Sequence, residues 1–232
     1  MTFLRPERRD TCTIPPIFTW HACRSPCGAR CVADDAKIPR VDGHETMPPE
    51  SVAKLTYEDF LAFPDDGQRH ELIDGAHYVT PSPATKHQRV SFRLSGSFYE
   101  YFKSHPVGEA FTAPFDVVLS NHDVVEPDLL VVLSSQTGIV TAKHVRGAPA
   151  LVIEILSPGT CQRDEVLKRS LYERSGVQEY WLVDLDDDAV AIWSRSAEGQ
   201  LVRRAVLRRS NASVLTSPLL PLFAVPLDEL FR

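Results

Sequence analysis

The chain has 232 residues, 43% hydrophobic and 24% charged, with a formal net charge of −6, a composition that excludes general disorder and a fibrous architecture. No apolar run approaches the ~20 residues that a membrane-spanning helix needs, so we expect a cytoplasmic protein. The acidic balance argues against a non-enzymatic DNA-binding protein, because such proteins neutralise phosphates with basic residues, whereas an enzyme that recruits divalent cations tolerates it.

Residues 1–46 differ from the rest of the chain. They hold four of the five cysteines and show neither strand alternation nor helical spacing, so we predict a disordered N-terminal segment. A regular pattern begins soon after Met47, a candidate translation start that would make the upstream segment a gene-start artefact. A zinc site there is disfavoured, because the cysteines follow Cys-x3-Cys spacing instead of the common two-residue separation. Its ligands would be His21, Cys23, Cys27 and Cys31.

The first regular elements are a short helix, a hairpin and a long helix. Thr56 and Asp59 have the spacing of a capping box, which predicts a helix that ends at Phe63. Asp74-Gly75 separates two short β-rich runs and favours a tight hairpin. Residues 85–104 carry apolar side chains at helical spacing and predict the long helix.

Apolar, β-rich runs then predict central strands, interrupted by a second helix at residues 162–175 with Gly176 as its C-cap. Strands mixed with helices, with hairpins among the strands, predict an α/β fold with a single, partly antiparallel sheet flanked by helices. The predicted strands are 111–119, Leu129–Leu133, 150–156, Tyr180–Asp184, Val190–Ser194 and Leu201–Leu207, and Leu227–Phe231 is a predicted docking helix.

Two carboxylates on neighbouring predicted strands are the main candidates for chemistry. Asp128 stands at the head of an apolar strand, and Glu154 lies inside the apolar run Leu151–Leu156. An unpaired carboxylate buried there costs several kcal/mol, so Glu154 needs a cation, a hydrogen-bond partner or an opening to solvent. Both acids could bind Mg²⁺, which prefers oxygen ligands and activates water for phosphodiester hydrolysis. The alternative, a Glu154 paired with a buried Arg or Lys or exposed on a strand face, is equally compatible with these residues.

The helix that follows places Asp164, Lys168 and Tyr172 at successive spacings of four, so the three side chains share one helical face. If that face overlooks the carboxylates, Lys168 could orient the attacking water or neutralise charge on the phosphate. The structural alternative is an Asp-Lys surface pair with Tyr172 packed on the sheet.

Two further residues are weaker candidates. Glu71, near the start of the first hairpin, could reach the same metal region, or it is an ordinary surface acid. His87, at the beginning of the long helix, could contact a phosphate, or it only caps the structure. The sequence contains no nucleotide-binding glycine loop and no nucleophile elbow, which disfavours nucleotide-fuelled enzymes and serine hydrolases.

Five motifs occur in the order found in the Uma-two family of restriction-endonuclease-like proteins, which the chain resembles over about residues 50–231. That family is assigned to the PD-(D/E)XK nuclease superfamily. The resemblance therefore implies a restriction-endonuclease-like domain over residues 47–232. The motifs are Tyr57–Phe60, Glu71–Gly75, Val125–Leu129, Val152–Pro158 and Glu179–Asp184.

The resemblance also implies Mg²⁺ dependence, with Mn²⁺ as a substitute, and DNA as the substrate. It assigns the two metal carboxylates to Asp128 and Glu154, and the early acid to Glu71. The superfamily's usual lysine would lie two residues after Glu154, where this chain has Leu156, so its role either passes to Lys168 or is absent. Ala76 stands where family members often have an acid.

Three functions remain open at this point. The first is a Mg²⁺-dependent DNA endonuclease that uses Asp128, Glu154 and Lys168. The second is a catalytically silent binding or regulatory module with the nuclease fold, which the leucine at position 156 and the acidic net charge favour. The third is an unrelated metal hydrolase acting on a small phosphoester, which requires a closed pocket. A homodimer is one possible assembly.

Overall fold

A six-stranded sheet forms the centre of the computed structural model, which describes residues 53–80, 82–157 and 163–232. Its two strands Leu151–Ile155 and Glu179–Asp184 run parallel to each other, whereas the other neighbouring strands are antiparallel. This mixed central sheet, flanked by helices, confirms the predicted fold class. In spatial order its strands are β11 (Leu201–Arg208), β10 (Ala189–Arg195), β9 (Glu179–Asp184), β8 (Leu151–Ile155), β6 (Leu129–Leu133) and β3 (Gly108–Thr112).

The remaining strands form two smaller sheets, so the prediction of a single sheet is wrong. The predicted strand 111–119 is divided at Ala113-Pro114, because proline has no N–H to continue a ladder. Its first part is β3, and its second part joins the next sheet. The five-stranded sheet has the order β2 (Ala76–Thr80), β1 (Arg69–Ile73), β5 (Asp123–Val125), β4 (Val117–Ser120) and β7 (Val145–Arg146), and a hairpin pairs β12 (Val214–Ser217) with β13 (Leu220–Pro226).

The predicted helices are present, with small changes at their ends. The capping box at Thr56 is observed, although its helix ends at Phe60 and not at Phe63. The predicted second helix begins as a π-helix over Arg163–Lys168 and continues as an α-helix to the C-cap Gly176, whose φ is 98°. The α-helices are α1 (Tyr57–Phe60), α2 (Thr85–Ser104), α3 (Arg169–Ser175) and α4 (Leu227–Leu230), and 3-10 turns occupy Ser134–Ile139 and Arg209–Asn211.

The central sheet buries both of its faces. One face packs against α2, α4 and the β12–β13 hairpin, where Phe98 and Phe223 contact Trp181. The other face packs against α3 and the five-stranded sheet, with Tyr172 against Tyr180. Since side chains alternate along a strand, Leu151, Ile153 and Ile155 of β8 face α2, and Val152 and Glu154 face α3.

Residues 1–46 and the cysteine and histidine side chains considered there lie outside the described residues, as does the candidate start at Met47. The described unit runs from Ala53 to Arg232. Among its helices, none combines the length and the apolar character needed to span a membrane.

Candidate functional site

Asp128 and Glu154 lie at the same end of two neighbouring strands, where β6 begins and β8 ends. The antiparallel register pairs Leu129 with Ile153, so the next position outward on β8 is Glu154, opposite Asp128. The Oδ2 atom of Asp128 accepts a hydrogen bond of 2.8 Å from the backbone N–H of Ile155, the residue that follows Glu154. This bond connects the two strands at the point where both carboxylates are held.

Glu154 lies on the side of β8 that faces the second predicted helix. Its Oε1 atom accepts a 2.6 Å hydrogen bond from the hydroxyl of Tyr172 and a 2.9 Å bond from the ammonium of Lys168. The spacing of four between these donors brings both to one carboxylate atom, because they lie one above the other on the helix. The pairing of Glu154 with a buried cation, one of the alternatives raised above, is thus present.

Lys168 is surrounded by three carboxyl groups. Its Nζ atom lies 2.8 Å from Oε1 of Glu71, 2.9 Å from Oε1 of Glu154 and 3.7 Å from Oδ1 of Asp164. All four residues are at least 97% buried. Burial alone would lower the pKa of Lys168, but Glu154, Glu71 and Asp164 together hold this pKa above its ordinary value. Lys168 is therefore charged and compensates buried acids.

Glu71 is tied to the site from the five-stranded sheet. Its Oε1 atom also accepts the backbone N–H of Glu126 at 3.0 Å, and its side chain is almost fully buried. The alternative of an exposed surface acid is wrong for this residue, because β1 turns Glu71 towards the central sheet.

Asp128 is held by a second set of donors. Its Oδ1 atom accepts a 3.0 Å bond from Nη1 of Arg69, and its Oδ2 atom lies 3.1 Å from Nε2 of His87. Burial alone would raise the pKa of Asp128, but the contact with His87, the charge of Arg69 and the N–H of Ile155 lower it. Asp128 is thus an ionised carboxylate in this arrangement.

Glu154 differs from Asp128 because its pKa is raised above the ordinary value and not lowered. Burial raises the pKa of Glu154 to about 8; Lys168 opposes this increase, and the nearby carboxylates Asp164, Asp128 and Glu71 add to it. Four carboxyl groups, those of Glu71, Asp128, Glu154 and Asp164, face the two permanent cations Arg69 and Lys168. Among the described side chains, the cluster thus has more acidic groups than permanent cations.

This excess of acidic groups fits a divalent cation. Within the described ranges no three His, Cys, Asp or Glu side chains are grouped to hold a metal ion. Mg²⁺ does not require such a group, because it commonly binds through one or two carboxylates and keeps water or phosphate as its other ligands. Asp128 and Glu154 could supply those two carboxylates, and Arg69 or Lys168 would then exchange partners.

An open groove of about 410 Å³ lies beside Asp128. Arg69, His87 and Glu126 line it together with the first turns of α2. Burial raises the pKa of Glu126 to about 7, and the neighbouring carboxylate of Asp116 adds to this increase. The groove gives a ligand a route to the Asp128 edge of the site.

Arg69 and Glu126 line the site but are not among the site residues predicted from the sequence. Arg69, Glu71 and Ile73 occupy every second position of β1, so the side chains of Arg69 and Glu71 lie on the same face of the strand. This spacing of two is the sequence feature that could have predicted that Arg69 lies beside Glu71. The contact of Arg69 with Asp128 crosses 59 positions of sequence, which no local pattern predicts.

Comparison with known proteins identifies the family. Residues 57–228 match the model of the Uma2 family, described as "Putative restriction endonuclease". The chain belongs to the Uma2 family. No curated protein matches the sequence.

A solved structure supports the fold of this Uma2 protein. It resembles the crystal structure of a protein from Anabaena variabilis ATCC 29413 described as a putative nuclease of the DUF820 group, with a TM-score of 0.65 and 22% sequence identity. The likeness covers 76% of this chain and 97% of the other. At this identity the likeness establishes a common fold, and nuclease activity is a description of the relative.

Proposed function

We propose that this Uma2 protein is a Mg²⁺- or Mn²⁺-dependent DNA endonuclease that hydrolyses phosphodiester bonds, and that it acts in the cytoplasm. One observation carries the proposal: Asp128 accepts the backbone N–H of Ile155, the residue after Glu154, beside a buried cluster that has more carboxyl groups than permanent cations among the described side chains. Family membership supports a nuclease in general terms.

The proposed roles follow from the contacts of each side chain. Asp128 and Glu154 would hold the divalent cation, which when bound would supply positive charge at the phosphate and make water a better nucleophile. The N–H of Ile155 and the ring of His87 hold the Asp128 carboxylate beside the end of β8. The hydroxyl of Tyr172 fixes the orientation of Glu154. These contacts reduce the reorganisation that the carboxylates need during the reaction.

Lys168 has a more restricted role in this proposal than direct activation of water. Lys168 is 98% buried and its ammonium contacts carboxylates, so in this arrangement it positions Glu154 and Glu71. It would reach the attacking water only after giving up one of these contacts. Asp164 contributes negative charge to the same cluster.

A catalytically silent module is the second candidate, and a specific observation favours it. Both proposed metal ligands already have cationic partners, Arg69 for Asp128 and Lys168 for Glu154. Such a cluster can persist as a structural ion-pair network without any metal. A small-phosphoester hydrolase is less well supported, because the groove beside Asp128 is open and does not form a closed pocket.

A cleavage assay separates the first two candidates. Supercoiled plasmid and oligonucleotide DNA are incubated with Mg²⁺ or Mn²⁺ and with the wild type, Asp128→Asn or Asp65→Asn. Asp65→Asn is the matched control, because Asp65 lines the same groove but is exposed. Loss of a metal carboxylate should reduce cleavage by about 100-fold or more, as changes around metal ligands do.

The expected result is cleavage by the wild type and by Asp65→Asn, with little or none by Asp128→Asn. Equal cleavage by all three proteins would point to a contaminating nuclease and reject the proposed site. Absence of cleavage by the wild type on both substrates with both metals would support the silent module. The homodimer, one possible assembly, is tested separately by sedimentation of the wild type.

A further inference from the structure

One face of α2 is exposed although it carries two aromatic side chains. The opposite face is buried and contributes Val90, Leu94 and Phe98 to the core. On the exposed face Phe92 is 81% accessible and Tyr99 is 66% accessible. Seven residues make about two helical turns, so both rings lie on the same side of α2. Large apolar side chains grouped on a surface mark an interaction site, whereas single scattered ones do not.

This face has the spacing of a helix that packs against another helix. Six exposed residues form the α2 stripe: Thr85, Arg89, Phe92, Gly96, Tyr99 and Lys103. They lie alternately four and three positions apart, which is the heptad spacing of paired helices. An added Cβ atom at Gly96 would meet nothing within 4 Å, so the space above this glycine is open. The α2 stripe therefore combines exposed rings with room for a ring from another molecule.

A groove of about 480 Å³ runs along one side of the α2 stripe. Arg93 and Glu100 line it from α2, and Leu222 lines it from β13. Leu222 is 85% exposed, and its φ of 71° lies in the left-handed region that residues other than glycine rarely adopt. Leu222 thus adds a third exposed apolar side chain beside the α2 stripe, in a backbone conformation of the kind found at functional surfaces.

The charges along this groove are complementary to themselves. Arg93 and Glu100 are seven positions apart, so they lie on the same flank of the α2 stripe. A two-fold axis makes every contact between two copies occur twice, with the roles of the copies exchanged. If two α2 helices pair antiparallel, Arg93 of each copy lies beside Glu100 of the other. The surface therefore carries both halves of its own ion pairs, which favours a second copy of this chain as the partner.

Both charged groups have capacity for a contact with another molecule. Arg93 donates a hydrogen bond of 3.0 Å from Nη1 to the backbone oxygen of Leu230, and its guanidinium has further N–H donors. Glu100 contacts Lys103 at 3.1 Å in an exposed pair, which contributes little to stability and can exchange partners. An ion pair between two copies therefore breaks no buried contact of Arg93 or Glu100.

The same antiparallel arrangement fits the apolar side chains. It places the ring of Tyr99 over the open space at Gly96 of the second copy. Lys103 then lies over the ring of Phe92 of that copy, where its ammonium can contact the ring face. Lys103 already lies 5.5 Å from the centre of the Tyr99 ring in its own chain, so its side chain extends along this face. One register thus satisfies the rings and the charges together.

We propose that the α2 stripe is the interface of a homodimer, in which two copies of this chain pair their α2 helices antiparallel and exchange Arg93–Glu100 ion pairs. The inference gives the homodimer a surface and does not depend on nuclease activity. A pair of single helices buries less than the roughly 800 Å² per partner of a standard interface. We therefore expect a reversible dimer with a Kd on the order of micromolar.

Charge reversal tests the contact between the copies. Arg93→Glu or Glu100→Arg alone places like charges opposite each other at both contacts, so each should raise the Kd of the dimer at least about tenfold. An equal mixture of the two variants should restore the dimer, because one copy then carries two acids and the other two arginines. Sedimentation equilibrium across the micromolar range measures the Kd, with one variant fluorescently labelled in the mixture.

Arg89→Glu is the matched control. Arg89 is an exposed arginine on the same helix, but in this register it faces Pro106 of the second copy, beyond the end of α2 at Ser104. This variant should keep the Kd of the wild type. Circular dichroism checks that each variant is folded. If Arg93→Glu unfolds because it loses the contact with Leu230, Tyr99→Ser removes an exposed ring of the α2 stripe and should also weaken the dimer.

Three outcomes would overturn the inference. The first is a wild type that stays monomeric across the whole concentration range. The second is a dimer whose Kd is the same in Arg93→Glu, Glu100→Arg and Tyr99→Ser as in the wild type. The third is a loss in Arg89→Glu as large as that in Arg93→Glu, or no recovery in the mixture. Because these experiments measure mass and not cleavage, none of the three bears on the nuclease proposal.

Discussion

Lys168 is the cation on which the buried acids Glu71, Glu154 and Asp164 depend. Replacing it with methionine, which has a similar length and no charge, leaves these carboxyl groups in the interior without their shared partner. Breaking a buried ion pair from one side costs about 3–5 kcal/mol, so Lys168→Met should lower the free energy of unfolding by that amount. Urea denaturation followed by circular dichroism measures the change.

Lys103→Met is the comparison for this prediction. Lys103 pairs with Glu100 at 3.1 Å on an exposed face of α2, with about half of its side chain accessible. Exposed pairs of this kind contribute about 0–1 kcal/mol. Similar losses from both substitutions would contradict the view that Lys168 compensates buried charge.

Glu179 offers a test of buried charge away from the candidate site. It is 99% buried, and its carboxyl group accepts hydrogen bonds from Trp181 at 2.8 Å and Ser217 at 2.6 Å. Burial raises the pKa of Glu179 above its ordinary value of 4.5, and the two hydrogen bonds oppose this increase. The folded protein therefore holds the proton of Glu179 more strongly than the unfolded chain does.

The sign of the pH dependence follows from this difference. The contribution of Glu179 to stability is fully present below pH 4.5 and is lost as the pH rises through the higher pKa of the folded state. Glu179→Gln removes this loss and keeps an acceptor for Trp181. The stability of the variant relative to the wild type should rise from acidic to neutral pH, measured by urea denaturation at several pH values. A constant difference across that range would show that Glu179 does not titrate differently on folding.

Substitution by alanine should change the free energy of unfolding in opposite directions at two glycines, one in a turn and one in a helix. Gly75 lies in the β1–β2 turn with φ of 75°, and an added Cβ atom would come within 2.5 Å of Cβ of Lys54. Gly96 lies on an exposed part of α2, where an added Cβ atom would meet nothing within 4 Å. The first substitution adds strain, and the second improves helix propensity.

We therefore expect Gly75→Ala to lower the free energy of unfolding by about 1–3 kcal/mol, and Gly96→Ala to raise it by about 0.5–1 kcal/mol. Thermal and urea denaturation of the two variants provide the measurement. Destabilisation by Gly96→Ala would reveal a packing requirement on α2, and an unchanged stability in Gly75→Ala would mean that the hairpin relaxes at little cost.

Elements with strong local signals could be predicted from the sequence. The spacing of apolar residues predicted α2 with its observed bounds, and Asp74-Gly75 predicted the β1–β2 hairpin. The division into three sheets could not be predicted, because the partners of β5 and β7 are set by tertiary packing. β5 and β7 are also very short, with three and two residues, so they carry little periodicity.

The same distinction applies to the candidate site. Glu154 could be identified because a carboxylate is conspicuous in an apolar strand, and the spacing of four predicted that Lys168 and Tyr172 share a face. The groups that hold Asp128 come from distant parts of the chain, since Arg69 and His87 are 59 and 41 positions away. Arg69 and His87 would compete with a metal ion for Asp128. This competition depends on contacts between β1, α2 and the central sheet, which a local sequence pattern does not contain.

At the scale of the whole molecule, the site joins the central sheet to the five-stranded sheet and to α2. Glu154 lies on β8 of the central sheet and Asp128 directly precedes β6, whereas Arg69 and Glu71 come from β1 and His87 from α2. A cation bound to the folded site and not to the unfolded chain stabilises the folded state, by about 2.7 kcal/mol at a hundredfold excess over its Kd. Binding at Asp128 and Glu154 would therefore raise the free energy of unfolding of the entire described unit.

At a hundredfold excess over the Kd, we expect Mg²⁺ or Mn²⁺ to raise the Tm of the wild type by about 5–11 °C relative to EDTA, since 1 kcal/mol corresponds to about 2–4 °C in a domain of this size. The increase should persist in Asp65→Asn and disappear in Asp128→Asn, measured by differential scanning calorimetry at constant ionic strength. An equal increase in Asp128→Asn would place the ion elsewhere. No increase in the wild type would mean that Arg69 and Lys168 hold the carboxylates more tightly than a divalent ion does, and the cluster would then be an ion-pair network that needs no metal.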